Sequence, residues 1–186
     1  MRVAPTELPD VLVIEPDVHR DARGFFLETY HADKYRTAAG ITAPFVQDNH
    51  SRSAGGTLRG LHAQVGRSPQ GKLVRVVHGE VFDVAVDVRR GSPTFRRWVG
   101  VRLTGDDFRQ LWIPPGFLHG FCVLSAAAEV VYKCTVPWDP AEEISVRWDD
   151  PDLGVAWPIA EPILSAKDAA APPLQALVHR LLPYGD

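Results

Sequence analysis

A chain of 186 residues that is 45% hydrophobic, 23% charged and 9% aromatic has the composition of an ordinary globular protein. At this length roughly 70% of the unfolded surface is buried on folding, so neither disulfides nor a structural metal are required. A formal charge of -3 excludes a protein that gathers nucleic acid through a general positive field, and any anionic ligand has to meet locally placed Arg and Lys.

No run approaches the roughly 18 apolar residues of a membrane span. The opening MRVAPTELPD is interrupted by Pro5, Glu7, Pro9 and Asp10, which break any signal-peptide core. Cys122 and Cys134 lie in apolar runs without CxxC spacing and read as reduced, buried fillers. The expectation is a cytoplasmic protein with no membrane or nucleic-acid partner and one domain over residues 1–186.

In chain order, short apolar or alternating runs occur at 11–14, 24–30, 45–51, 73–77, 80–88, 95–103, 109–113, 121–124, 130–136 and 144–148. Gly, Pro and other turn residues separate nearly all of them. Within 80–88, Phe82, Val84, Val86 and Val88 share one face while Asp83 and Asp87 share the other, the pattern of a half-buried strand. Helical spacing is confined to 32–39, closed by Gly40, and to a tail stripe over 174–182, with an Ala/Pro-rich connector at 169–173. A parallel sheet would need a helix between successive strands, so the pattern predicts an all-β antiparallel sandwich or barrel with a few short peripheral helices. A jelly roll is the expected form.

Several segments carry residues capable of chemistry. In FVQDNHS (45–51) alternation points Gln47, Asn49 and Ser51 one way, a row of neutral polar groups on one sheet face. GGTLRGLHAQ (55–64) holds Arg59 and His62, which strict alternation sends to opposite faces. Either a bulge at Gly60 brings them together or they serve two different pockets. An imidazole titrating near pH 6.5 is suited to general-base work, although by residue type alone a lone strand histidine is structural.

Lys72 opens a strand after SPQGK, and Lys167 and Asp168 stand far away in LSAKD; by themselves these read as surface charge and as a turn or helix-start residue. His119 follows a Pro-Pro-Gly turn just before a strand. Tyr132, in register with Val130, Cys134 and Val136, points inward, as core tyrosines do. Trp138 reads as a packing residue or as a platform for a flat ring, and Glu143 as a solvated charge.

Taken together and in this order, DARGFF (21–26), QDNHSRS (47–53), LRGLHAQ (58–64), PQGKLVRVVHGEVFDVAVDVR (69–89), QLWIPPGFLHGF (110–121), VYKCT (131–135), RWDDPDLGVAWP (147–158) and LSAKD (164–168) resemble the dTDP-4-dehydrorhamnose 3,5-epimerases of deoxysugar biosynthesis nearly end to end. The resemblance implies a cupin-type jelly roll, a homodimer exchanging N-terminal strands, and dTDP-4-dehydro-6-deoxyglucose as substrate, with no cofactor and no metal. It assigns His62 as base, Asp168 as its partner, Lys72 to the enolate oxygen and Tyr132 as the opposite-face acid. It places Arg23, Phe26, Glu28, Gln47, Asp48, Asn49, Arg59, His119, Trp138, Glu143 and Lys167 around the nucleotide-sugar, some of them from the partner subunit. Arg23, Arg59 and Lys167 would meet the diphosphate. At the position of Trp138 the family stacks an aromatic, often Tyr, on thymine; Trp keeps the flat ring and lacks the phenol hydroxyl.

Three other readings make different demands. A metal-dependent cupin shares PPGFLH, but Ala63 and Gln64 follow His62 where a second histidine would stand, leaving too few ligands. Relatives that invert only C3 or only C5 use the same base and acid. A sugar-nucleotide-binding module without activity would have lost His62, Lys72 or Tyr132, and all three are present.

Overall fold

Turn residues divide the chain into short strands that alternate between two sheets. The computed structural model describes residues 1–185. In chain order its strands are β1 Arg2–Pro5, β2 Leu12–Glu15, β3 Val18–Asp21, β4 Gly24–Leu27, β5 Gln47–Ala54, β6 Leu58–Gln64, β7 Lys72–His78, β8 Glu80–Asp87, β9 Trp98–Thr104, β10 Gln110–Ile113, β11 Phe117–Val123, β12 Ala127–Cys134 and β13 Glu143–Ser145. One sheet has the order β1-β2-β10-β7-β12-β5, a second β13-β6-β11-β8-β9, and β3 and β4 form a separate hairpin. Every pairing between these strands is antiparallel. The result is the cupin-type jelly roll. Gly79 alone links β7 to β8, where the chain crosses from one sheet to the other; its φ of 77°, and the 2.1 Å that a Cβ there would leave to Ala127 O, require glycine.

Three apolar layers hold the sheets. Between them pack Val74, Val76, Leu111 and Val130 with Val81, Ala85, Leu103 and Phe121. Outside the six-stranded sheet, helix α1 (Ala32–Ala39) sets Tyr35 against Ile14, Leu73 and Trp112. It ends as expected at Gly40, whose left-handed backbone lets its N–H reach Arg36 O. Outside the five-stranded sheet, Leu61, Val84, Val86 and Leu118 are covered by Leu153, Leu174 and Leu181. Full burial of each leucine stabilises that closure by about 1.5–3 kcal/mol. Among the described residues no helix is long and apolar enough to cross a membrane.

The structure corrects several sequence expectations. Strand β8 is buried on both faces, because the C-terminal segment covers Val84 and Val86, and Asp83 and Asp87 are both fully buried. The tail stripe folds as a 3₁₀ helix, Leu174–Arg180. Strand β9 starts at Trp98 rather than at 95, since Arg96 adopts a φ of 67°. Strand β11 begins at Phe117, which places His119 within it.

Candidate active site

The parity problem at Arg59 and His62 is resolved on β6. Its partner β11 sets His119 opposite His62 and Phe121 opposite Arg59, so Gly60 and Leu61 of β6 stand against Gly120 alone. The extra residue is a bulge centred on Gly60, with φ 125°. A Cβ at Gly60 would lie 2.6 Å from Gly120 Cα, so the two strands approach there as only glycines allow. Arg59 and His62 consequently line the same cavity, of about 460 Å³. Arg59 Nε donates to Ser53 Oγ at 2.9 Å.

The carboxylate partner of His62 comes from far along the chain. Ser165 caps the short helix α2 (Ala166–Ala169), its hydroxyl accepting from Asp168 N at 3.1 Å. This turns the buried Asp168 side chain so that Oδ1 lies 2.5 Å from His62 Nε2. Burial alone would raise the Asp168 carboxyl, but the hydrogen bond and charge of His62, with help from Ser165 and the Gly60 backbone, outweigh it and hold the group below its ordinary value. An ionised Asp168 accepts from Nε2–H and leaves the Nδ1 lone pair of His62 unbonded.

A second histidine–carboxylate pair lies alongside. His119 Nε2 is 3.0 and 3.1 Å from the two oxygens of Asp83, both residues being buried. Lys72 lines the cavity without an ion pair or hydrogen bond among the described residues, and desolvation lowers its pKa below the ordinary lysine value. Burial pushes the Tyr132 phenol up, so it stays protonated well above neutrality.

An adjoining cavity of about 240 Å³ shares His62, Lys72 and Tyr132 with the first and adds Gln47, Asn49, Trp138 and Glu143. The groups with proton-transfer chemistry therefore sit where two lobes of one cleft meet. Lys167 Nζ, on the rim of the first lobe, lies 2.5 Å from Glu143 Oε2.

Other expected site residues lie outside this cleft. Asp48 points to the opposite face of β5 and pairs with Lys133 at 2.8 Å. Arg23 pairs with Asp21 on the exposed β3–β4 hairpin, Phe26 on the same hairpin is 70% exposed, and Glu28 pairs with Lys34 at 2.9 Å.

Sequence reading passed over Asp83 and Ser165. Asp83 carried a signal, an acid inside an otherwise apolar strand, but the alternation assigned it to solvent. For Ser165 the S-x-x-D spacing to Asp168 is a helix-start signature. Among the described residues no three His, Cys, Asp or Glu side chains converge as metal ligands.

A family model described as dTDP-4-dehydrorhamnose 3,5-epimerase matches residues 5–176. A dTDP-4-dehydrorhamnose 3,5-epimerase of Salmonella typhimurium is 54% identical over 96% of this chain and 98% of its own, and one of Pseudomonas aeruginosa is 55% identical over 90% and 93%. Among solved structures, a dTDP-6-deoxy-D-glucose-3,5-epimerase from Legionella pneumophila, in complex with dTDP-4-keto-L-rhamnose, superposes with a TM-score of 0.96. It is 51% identical and the match covers 100% of this chain and 99% of that one.

Proposed function

The chain belongs to the dTDP-4-dehydrorhamnose 3,5-epimerase family, and on that premise we propose that it inverts C3 and C5 of dTDP-4-dehydro-6-deoxy-D-glucose with His62 as base and Tyr132 as acid. The observation that carries this reading is the His62–Asp168 pair opening on the same cleft as Lys72 and Tyr132. A ketone at C4 makes the hydrogens on C3 and C5 removable, because the charge left behind spreads onto the ketone oxygen. His62 takes the proton, and Asp168 stabilises the imidazolium that forms. Lys72 meets the developing enolate oxygen, a cation preorganised where charge appears. Tyr132 then protonates the carbon from the opposite face, giving the inverted centre and dTDP-4-dehydro-L-rhamnose once both carbons have reacted.

Each inversion leaves His62 with one proton too many and Tyr132 with one too few, so both reset through solvent. Arg59 and Lys167 supply positive charge for the diphosphate, and Trp138 offers a flat face to thymine. No step requires a metal.

Proton NMR of the substrate with the protein in deuterated water and a metal chelator tests this scheme. Deuterium is expected at both C3 and C5. Exchange at one carbon would move the protein to the single-carbon epimerases, and no exchange would remove the substrate assignment. In the same assay Tyr132→Phe is expected to slow completed inversion by about 10²-fold while C3 exchange continues near the unmutated rate; equal retention of both rates would assign the acid elsewhere.

The hairpin favours a second copy as partner. Phe25 and Phe26 are 55% and 70% exposed, and Arg23 and Phe26 stand away from their own cleft. A homodimer that exchanges N-terminal segments would deliver both to the neighbouring cleft. An Arg23→Ala subunit mixed with a His62→Ala subunit then reconstitutes one intact site per mixed dimer, with recovery of about a quarter of full activity expected. Absence of recovery after subunit exchange would count against a shared site.

A further inference from the structure

Strand β12 ends at Cys134, and beyond it the backbone groups of residues 136–139 have no sheet neighbour. Three glutamine amides take that place. Gln70 Nε2 donates to Val136 O at 2.9 Å, and Gln64 Nε2 donates to Pro137 O at 3.1 Å. Gln47 Oε1 accepts from Trp138 N at 2.8 Å, and Gln64 Oε1 accepts from Asp139 N at 2.9 Å.

Gln64 holds the segment on both sides of Trp138. Its remaining amide hydrogen goes to Ser68 O at 2.8 Å, so its orientation is determined: a flipped amide would oppose its NH2 to the Asp139 N–H. Gln64 is 3% exposed, whereas Trp138, which it brackets, is 55% exposed and lines the cleft. Gln64 also follows His62 by two residues on β6, on the same side of the strand and about 7 Å further along. One strand thus carries the base and, two residues on, the clamp on the indole. A metal cupin would have a ligand near this position; here the residue is an amide fully occupied with backbone.

We infer that Gln64 is a positioning residue for nucleotide recognition, fixing through Pro137 O and Asp139 N where Trp138 meets the thymine ring relative to His62. The inference rests on the reading of Trp138 as the base platform. A leucine at 64 would release both backbone groups to water and free the indole to move, weakening the bound nucleotide without touching a reacting atom. The loss falls on ground state and transition state alike, and so on KM rather than kcat.

Steady-state kinetics of the full chain test it, using Gln64→Leu, Trp138→Ala and the double variant. Gln64→Leu is expected to raise KM about tenfold with kcat within about twofold of the unmutated protein. The double variant is expected to have a KM no higher than Trp138→Ala alone, since both remove one interaction. Gln64→Glu keeps the shape and the acceptor but loses both donors; it gives the same split and serves if Gln64→Leu does not fold. A fall in kcat at unchanged KM, or KM effects that multiply in the double variant, would overturn the positioning role. If Trp138→Ala alone leaves KM and dTDP affinity unchanged, the platform reading fails and takes the inference with it, a result separable from the others because it involves Trp138 only.

Discussion

His62→Ala is expected to lower turnover by about 10³–10⁴-fold, a barrier increase of about 4–5.5 kcal/mol, while dTDP binds within about twofold of the unmutated affinity. The separation follows from where the imidazole sits. It lies at the junction of the two lobes, whereas Trp138 lines the second lobe and Arg59 and Lys167 the first. Removing it deletes the base and leaves the groups for thymine and diphosphate in place.

The variant also leaves Asp168 buried without the partner that lowers its pKa. In the unmutated protein the folded value lies below the unfolded one. The carboxylate therefore contributes stability that is present above the ordinary carboxylate range and is lost as pH falls through the lowered value. That contribution disappears with His62, so the variant is expected to unfold at a higher pH during acid titration. Calorimetric titration with dTDP, deuterium exchange at C3 and C5, and circular dichroism against pH measure the three quantities. Turnover within tenfold of the unmutated protein would remove His62 as the base.

Lys72→Met is expected to cost about 10²–10³-fold in kcat, the loss typical of one preorganised donor to an oxyanion. Methionine fills similar space but carries no charge to the enolate oxygen. The pH profile provides a second readout. Desolvation lowers the Lys72 pKa, so the ammonium, and with it kcat/KM, is expected to fail at a lower pH than an exposed lysine would dictate. Burial shifts the Tyr132 phenol the other way, upward, so a limb displaced to lower pH carries the signature of Lys72 rather than of the phenol. Methionine has no proton to lose, and the alkaline limb should vanish in Lys72→Met. A limb that persists unchanged would place its origin in another group and argue against the electrostatic role.

Local chemistry was readable in the sequence where it decides the outcome alone. The helix at 32–39 appears with the same bounds, because its stop signal, Gly40, acts within the last turn. Alternation likewise sets Tyr132 inward, packed against the inter-sheet core. Where two elements had to meet, the pattern was silent. Asp83 and Asp87 alternate with valines as on a solvated strand, yet what covers the valine face lies more than sixty residues further on. The bulge at Gly60 was one of two open solutions, and only the register of β6 on β11 chooses between them. Nothing in spacing joins Asp168 to His62, which are 106 residues apart, and the resemblance to a family supplied that pairing instead. Arg23 and Phe26 on the β3–β4 hairpin, and Glu28 just after it, are the remaining case: they stand away from the cleft of their own chain, and no spacing in the sequence indicates that.

The order in which this chain is made bears on when its cleft can act. Every strand of both sheets, the bulge and His62 precede Asp168, so a ribosome delivers the whole barrel before it delivers the carboxylate that completes the pair. Until Asp168 has been made and Ser165 has capped the short helix that carries it, the imidazole has no carboxylate to hold its tautomer. A nascent chain paused after β13 would thus hold both sheets and the base but lack Ile163, Ser165, Lys167 and Asp168, which wall the first lobe, so the cleft and its chemistry are completed together by the last segment to be made.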